Sequence, residues 1–246
     1  HLDIEIRKGN YEHKDEFLNA LKGIDAVLLV SGMDHPEKRI QQHRNVIEAA
    51  KECGVKKIVY TSITGGEKDS DFSPIVQSNR QTEEDIKSSG LDWTIGRNGL
   101  YIEPDMDYID KFIKQGGVIN SAANGKTSYT SRRELAFAYV KMLTEDKHKG
   151  QTYNLTGEAL TQSQLAENLN TVFNTDLTYK SVSVEEFTNK KKGDLGEFMG
   201  TVIGGIYEGI RNGDFNVPSD YEKAVGRKHR SALEIMLEIK EEKLIK

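Results

Sequence analysis

An α/β fold built on a doubly wound parallel sheet is predicted by three observations along the chain. Short runs rich in apolar and β-branched residues alternate with longer stretches of helical periodicity. Two of the early runs, Ala26 to Val30 and Ile58 to Tyr60, are apolar without alternation, as strands covered on both faces must be. Each early run also ends on small or polar residues, where a strand leaves the sheet for a turn. Strands separated by helices are joined by crossovers, and crossovers make parallel sheets.

The elements follow in order. Leu2 to Arg7 alternates apolar and charged residues and reads as a strand, after which Gly9, Asn10 and Tyr11 turn the chain into a helix carrying Phe17, Leu18 and Leu21 on one face. Gly23 closes that helix. Ala26 to Val30 is expected as a central strand, ended by Ser31 and Gly32. The next helix starts near Pro36, whose fixed φ suits a first turn, and its stripe runs through Ile40, Ile47, Ala50 and Cys53 to a cap at Gly54. Ile58 to Tyr60 is the next buried strand, ending at Thr61 and Ser62 before a polar, glycine-bearing loop. From Gln77 a charged helix runs to Ser89 and Gly90, and Trp93 to Ile95 makes a fourth strand that leaves through Arg97, Asn98 and Gly99. Beyond it, helices are predicted over 105–114, 132–144, 162–173, 184–191 and 233–243, with short strands over 152–155 and 177–179. No Pro/Gly/Ser-rich linker interrupts the chain, so residues 1–130 are read as a first domain to which later segments return, and 131–246 mainly as a smaller α+β lobe packed directly on it.

Composition narrows the function. The chain has 246 residues, 36% hydrophobic and 30% charged, which is enough to bury a real core. Its longest apolar run, Ala26 to Val30, is five residues against the roughly 20 that a membrane helix needs, so no membrane span is predicted. A net charge of -5, from 34 basic and 39 acidic residues spread along the chain, leaves no basic footprint for a nucleic acid. The single cysteine, Cys53, cannot form an internal disulfide, and the first residues resemble no signal peptide; the expected location is the cytoplasm.

In an open parallel sheet, ligands lie across the carboxyl ends of the strands. Four such ends are Gly9-Asn10-Tyr11, Val30-Ser31-Gly32, Thr61-Ser62-Ile63 and Arg97 to Tyr101, all small and polar as a nucleotide pocket requires and as any strand-to-turn junction also requires. A glycine-rich phosphate loop follows none of them, and Gly200 to Gly205 lies in a helical context. If the sheet is Rossmann-like, the strand at 2–7 is its third. An opening βαβ segment of roughly 30 residues or more is then expected to be lacking.

Several longer segments share a further likeness. His43 to Ala50, Gly54 to Ser62, Ser89 to Tyr101, Ser131 to Ala136 and Thr152 to Leu155, in this order and spacing and with Gly9-Asn10-Tyr11 ahead of them, resemble the NmrA-like atypical short-chain dehydrogenase/reductases. The likeness is nearest to the NADPH-dependent quinone oxidoreductase and triphenylmethane reductase branch, and Tyr207, Gly213 to Phe215 and Gly226-Arg227 extend it. The resemblance implies a Rossmann-like domain over 1–130 holding NADPH, with NADH as the alternative, and a C-terminal lobe over the nicotinamide. It implies that Asn10 and Tyr11 face the adenine side, although the family often has an acid in place of Asn10. Val30, Ser31 and Gly32 would line the pyrophosphate and ribose, and Thr61 and Ser62 would approach the nicotinamide ribose. Asn98, Gly99, Leu100, Tyr101 and Glu103 would wall the nicotinamide ring. Asn79, also among the implied cofactor contacts, stands where relatives often carry histidine, and that departure argues against direct catalysis from this position. Tyr101, Ile102 and Tyr207 are the implied substrate contacts.

The Tyr-x-x-x-Lys pair of ordinary short-chain dehydrogenases is absent, and Tyr129 and Tyr207 have Arg four residues on instead. A quinone or cationic dye needs no acid at the moment of hydride transfer, so the expected reaction is direct hydride transfer to a planar, electron-poor small molecule with no catalytic side chain assigned. The alternative is an NmrA-like redox sensor that binds dinucleotide without turnover. The six histidines show no paired spacing for a metal and read as surface or capping residues, no Gly-x-Ser-x-Gly elbow is present, and Cys53 reads as a packed thiol.

Overall fold

Strands and helices in the first half of the chain follow the order that the periodicity dictates. In the computed structural model, which describes residues 4–244, α1 (Lys14–Ala20) leads into β1 (Ala26–Val30), α2 (Pro36–Glu52), β2 (Lys57–Ile63), α3 (Ser73–Lys87) and β3 (Asp92–Asn98). Next come β4 (Leu100–Tyr101), α4 (Glu103–Asp107), α5 (Ile109–Gln115), β5 (Gly117–Asn120), β6 (Lys126–Thr130) and α6 (Arg132–Thr144). A 3-10 turn at Asp146–His148 precedes β7 (Gln151–Leu155), β8 (Ala159–Thr161), α7 (Gln162–Phe173) and β9 (Thr178–Ser181). The chain closes with α8 (Val184–Leu195), α9 (Glu197–Asn212), α10 (Tyr221–Val225) and α11 (Ala232–Leu244). Among the described residues no helix is long and apolar enough to cross a membrane.

The main sheet has the order β1-β2-β3-β7, with β1 and β2 parallel and Val30 opposite Thr61. That register brings the Ser31-Gly32 turn beside the end of β2. Two smaller sheets have the orders β4-β6-β8 and β5-β9; the β4–β6 and β5–β9 pairs are parallel, and β6–β8 is antiparallel. The chain forms two units. Unit 1 comprises the residues up to Ser62 together with Gln77–Gly96 and Tyr139–Thr152, and unit 2 comprises Ile63–Val76, Arg97–Ala138 and the chain from Tyr153 on.

Unit 1 packs Leu29, Val46, Ile47, Ile58, Tyr60, Ile86 and Ile95 into one cluster. Each such side chain is worth about 1.5–3 kcal/mol when removed from water. Unit 2 has a core of Ile102, Met106, Leu165, Leu169 and Met236, and a second around Phe72, Val76, Ile210 and Phe215. Helix α9 carries four buried glycines, and a Cβ on Gly200 or Gly205 would lie 2.3 Å from the backbone of Lys192 or Phe72. The glycines therefore let the helix approach backbone directly, at a helix-propensity cost of about 1 kcal/mol each.

Four expectations are corrected. Leu2 and Asp3 lie outside the described residues, and residues 4–7 form no strand: their alternation meets no neighbouring strand among the described residues, and Ile4 and Ile6 are exposed. Strand β1 is not central; it pairs only with β2 among the described residues, Leu29 alone is fully buried, and Val30 is 53% exposed. Helix α3 starts at Ser73 rather than Gln77, with Pro74 in its first turn, where a missing N–H costs nothing. The stretch over 105–114 is divided between α4 and α5, which meet at Tyr108.

Candidate functional site

In unit 1, the carboxyl ends of β1 and β2 are tied by side chains chosen for hydrogen bonding. The Ser31 backbone N–H donates to Thr61 Oγ1 at 2.8 Å, and Ser31 Oγ donates to Asn79 Oδ1 at 3.1 Å. Tyr60 donates its hydroxyl to the same Asn79 oxygen at 2.7 Å, and burial pushes this phenol up to about 12. Ser31, Thr61 and Asn79, expected at different parts of a ligand, thus form one network. Tyr11 reaches the same strand end, donating its hydroxyl to the Val30 carbonyl at 2.8 Å while its ring stacks on Phe17. Asn10 is exposed and accepts from the Glu12 N–H at 3.0 Å, closing the turn into α1.

Gly32 donates its N–H to His43 Nε2 at 3.0 Å, which fixes the proton on Nδ1, where it faces Thr82 Oγ1 at 2.9 Å. Burial, reinforced by the charge of Arg39, pulls His43 down to about 4, so this imidazole is neutral. It is a buried strut of the Ser31-Gly32 turn and not the surface residue expected. His148, expected likewise, is also buried. Ser62 is buried with its hydroxyl donated to Glu83 Oε1 at 2.6 Å, and Arg80 bridges both residues at 3.2 and 2.8 Å. Cys53 ends α2 with its thiol toward the Leu18 carbonyl at 3.3 Å, as a packed thiol should be.

One residue here was not legible in the sequence. Arg39 on α2 is only 4% exposed, its Nη1 meets Ser31 Oγ at 3.5 Å, and its Nε has no hydrogen-bond partner. A guanidinium stays charged inside a protein, and among the described residues none offers Arg39 a carboxylate within ion-pair distance, Asp34 acting on it only from farther off, so it has room for an anion. Gly32 adds a second feature: a Cβ there would come within 3.4 Å of Gln42 Oε1 and 3.7 Å of Arg39 and His43, so the turn lies close against α2. A buried cation with an orphaned donor beside an exposed strand end fits the anionic part of a dinucleotide.

In unit 2, Asn98 donates from Nδ2 to the Tyr101 hydroxyl at 3.2 Å and accepts at its carbonyl from the Thr64 N–H at 2.9 Å. Gly99 is required by packing, because a Cβ would fall 2.4 Å from the Ser128 carbonyl. Leu100 and Tyr101 then pair with Tyr129 and Thr130. Tyr101 is 37% exposed with the Arg132 guanidinium 5.5 Å over its ring, whereas Ile102 is buried in the core. Glu103 accepts the Arg132 N–H at 2.7 Å and so caps α6.

A cavity of about 270 Å³ opens in this unit, with Tyr101, Tyr108, Phe187 and Tyr207 on its wall. Tyr207 meets Phe187 edge-on at 4.9 Å. Asp105 and Tyr129 line the same space, and Lys191 holds its ammonium 5.6 Å from the Tyr108 ring centre and 5.2 Å from that of Phe187. The structure therefore gathers Tyr101 and Tyr207, two of the three implied substrate contacts, around a flat-walled aromatic space that excludes Ile102, and adds Asp105, Tyr129 and Lys191 to it.

Comparison with known proteins fits this arrangement. Residues 1–146 match a family described as NAD(P)H-binding. Quinone oxidoreductase 2 of Escherichia coli (strain K12) is 34% identical over 187 residues, covering 75% of this chain and 64% of its own length. An NmrA-like family domain-containing oxidoreductase of Aspergillus flavus is 28% identical over 221 residues, 86% of this chain and 71% of its own. Among solved structures, an E. coli NADPH-dependent quinone oxidoreductase complexed with NADPH superposes with a TM-score of 0.86 at 28% identity, covering 98% of this chain and 84% of that one. The chain thus spans just under two thirds of the first of these curated relatives.

Proposed function

The chain belongs to the NAD(P)H-binding family, and on that footing we propose that it is an NAD(P)H-dependent reductase of quinone-like or other planar, electron-poor acceptors. The observation that carries this reading is the aromatic cavity of unit 2, whose walls at Tyr101, Tyr108, Phe187 and Tyr207 suit a flat ring. Its similarity to a quinone oxidoreductase adds weight.

The dinucleotide, when bound, supplies the hydride. NADPH is the preferred form, in keeping with the NADPH-bound relative. In unit 1, Asn10, Tyr11, Val30, Ser31, Gly32, Thr61, Ser62 and Asn79 serve the dinucleotide, with Arg39 as the cation for its anionic groups. In unit 2, Asn98, Gly99, Leu100, Tyr101 and Glu103 serve the nicotinamide side, and Tyr101 and Tyr207 the acceptor, while Ile102, expected as a third acceptor contact, is packed in the core and lies off the cavity wall. In this reading residues 1–130 are mainly the dinucleotide domain and 131–246 mainly the acceptor lobe, in a cytoplasmic protein. The network through Ser31, Thr61 and Asn79 holds the strand ends rigid, so orientation and exclusion of water are the protein's main contributions.

Calorimetric titration with NADPH and NADP+ tests the reading. A reductase binds the reduced form more tightly and loses it when an acceptor is added, and Arg39→Met weakens binding of either form by about tenfold or more, the worth of a charge-assisted hydrogen bond. Equal affinity for both forms, with no oxidation by any of a panel of quinones, is the behaviour of a redox sensor and would overturn it.

A further inference from the structure

The acceptor cavity contains an acid whose hydrogen-bonding direction is set from behind. Asn120 donates from Nδ2 to Gln162 Oε1 at 2.8 Å, and Gln162 donates from Nε2 to the Tyr129 hydroxyl oxygen at 3.1 Å. All three side chains are buried. With its oxygen receiving a proton from Gln162, Tyr129 has its own hydroxyl proton left to give, and the Asp105 carboxyl shares its cavity wall and is favoured in its charged form by that hydroxyl. Asp105 is 7% exposed and lies on the cavity wall, and among the described residues it has no ion-pair partner within 4 Å. A buried carboxyl on a cavity wall with no ion-pair partner has hydrogen-bonding capacity to offer to whatever enters.

We propose that Asp105 is the residue that engages the acceptor's oxygen, donating a hydrogen bond from its carboxyl to a carbonyl and passing on that proton as the acceptor is reduced. This rests on the reading of the cavity as an acceptor site. For a quinone the step balances as follows: a reduced nicotinamide dinucleotide supplies the hydride, leaving a hydroquinone monoanion. The Asp105 O–H bond then breaks, a new O–H bond forms on that anion, and the carboxylate left behind recovers a proton from solvent. The charged and titratable groups facing Asp105 are Tyr129 from β6, Lys191 from α8, and Tyr207 from α9. Among the described residues Lys191 has no carboxylate partner within ion-pair distance, whereas Lys111 on α5 is paired with Asp194 at 3.1 Å, so Lys191 is the ammonium available to steady the carboxylate. Burial raises the Asp105 carboxyl to about 7, against the opposing pull of the Tyr129 hydroxyl and the Lys191 charge, so the acid form is well populated at neutral pH.

The test is equilibrium binding of duroquinone, which has no free ring position for thiol addition, to the native protein without dinucleotide as pH rises from about 5.5 to 8.5. Native affinity is expected to fall by about tenfold or more with a midpoint near 7, as a donor becomes a carboxylate facing a carbonyl oxygen. Asp105→Asn, which keeps shape and a donor, is expected to bind with no such midpoint. Tyr129→Phe is expected to move the midpoint upward, because it removes a donor that favours the charged form. A flat native profile, or a midpoint that persists in Asp105→Asn, would overturn the assignment of Asp105 while leaving the cavity an acceptor site. No binding by the native protein at any pH would overturn the acceptor reading and this proposal together.

Discussion

Glu134 and Asp105 are buried carboxylates driven in opposite directions, and both have consequences for stability. Burial would raise Glu134, but hydrogen bonds led by Arg227, at 2.9 and 3.0 Å, and joined by Arg230 at 2.7 Å outweigh it and pull the carboxyl down to about 2. A folded value below the unfolded one means stability that is full above pH ~4.5 and is lost as pH falls toward ~2. Discounted for the part-exposed arginines, the loss is about 1–3 kcal/mol. Glu134→Gln is predicted to be less stable at neutral pH by about 3 kcal/mol and to lack this acid limb in denaturant titrations; an unchanged limb contradicts the assignment. For Asp105 the folded value lies above the unfolded one, so ionisation opposes folding as pH rises from about 4 through 7. Asp105→Asn is therefore predicted to stabilise the protein by about 1–3 kcal/mol at pH 8, and a loss of stability there would mean that Tyr129 and Lys191 together outweigh the cost of burying the carboxylate. Ser31 and Thr61 were legible because turns after strands announce themselves in sequence, whereas Asn79, inside α3, was reached only through the family resemblance. Arg39, Asp105 and Lys191 were not legible, because their placement is decided by packing from elsewhere in the chain and no local motif marks it.

At the level of elements, helices were legible and short polar strands were not. Helices α6 and α7 occupy the predicted 132–144 and 162–173, and in α7 Thr161 and Gln164 form a reciprocal capping box. Thr161→Ala is predicted to cost about 1 kcal/mol in urea unfolding, with no change meaning that the cap is idle in solution. Strand β6 (Lys126–Thr130) reads as polar because its buried residues are mostly hydroxyl-bearing, and β4 is two residues long, so neither shows a hydrophobic period. Helix α9 was recognised only as a helical context for Gly200 to Gly205, since its glycines weaken the propensity signal while serving close packing. Gly205→Ala is accordingly predicted to destabilise by about 1–3 kcal/mol although alanine is the better helix former, because its Cβ would meet the Phe72 backbone; a more stable variant would show that the approach is not tight.

For the whole molecule, the alternation of strands and helices, the net charge of -5 and the absence of a long apolar run pointed to an α/β protein acting on a small molecule. The NAD(P)H-binding family match over residues 1–146 agrees with that reading and with the resemblance carried by segments such as Gly54 to Ser62. Unit 1 contributes a buried cation beside a strand-end turn, and unit 2 an aromatic cavity with an acid on its wall. Neither could be read from composition, since each depends on side chains distant in sequence sharing one space. The most direct test of the account is rapid mixing of the NADPH-loaded protein with duroquinone while the reduced-nicotinamide absorbance is followed. The account predicts an acceptor-dependent loss that saturates with duroquinone and consumes one NADPH for each quinone reduced. NADPH that binds and then persists unchanged with duroquinone and with a panel of other quinones would contradict it.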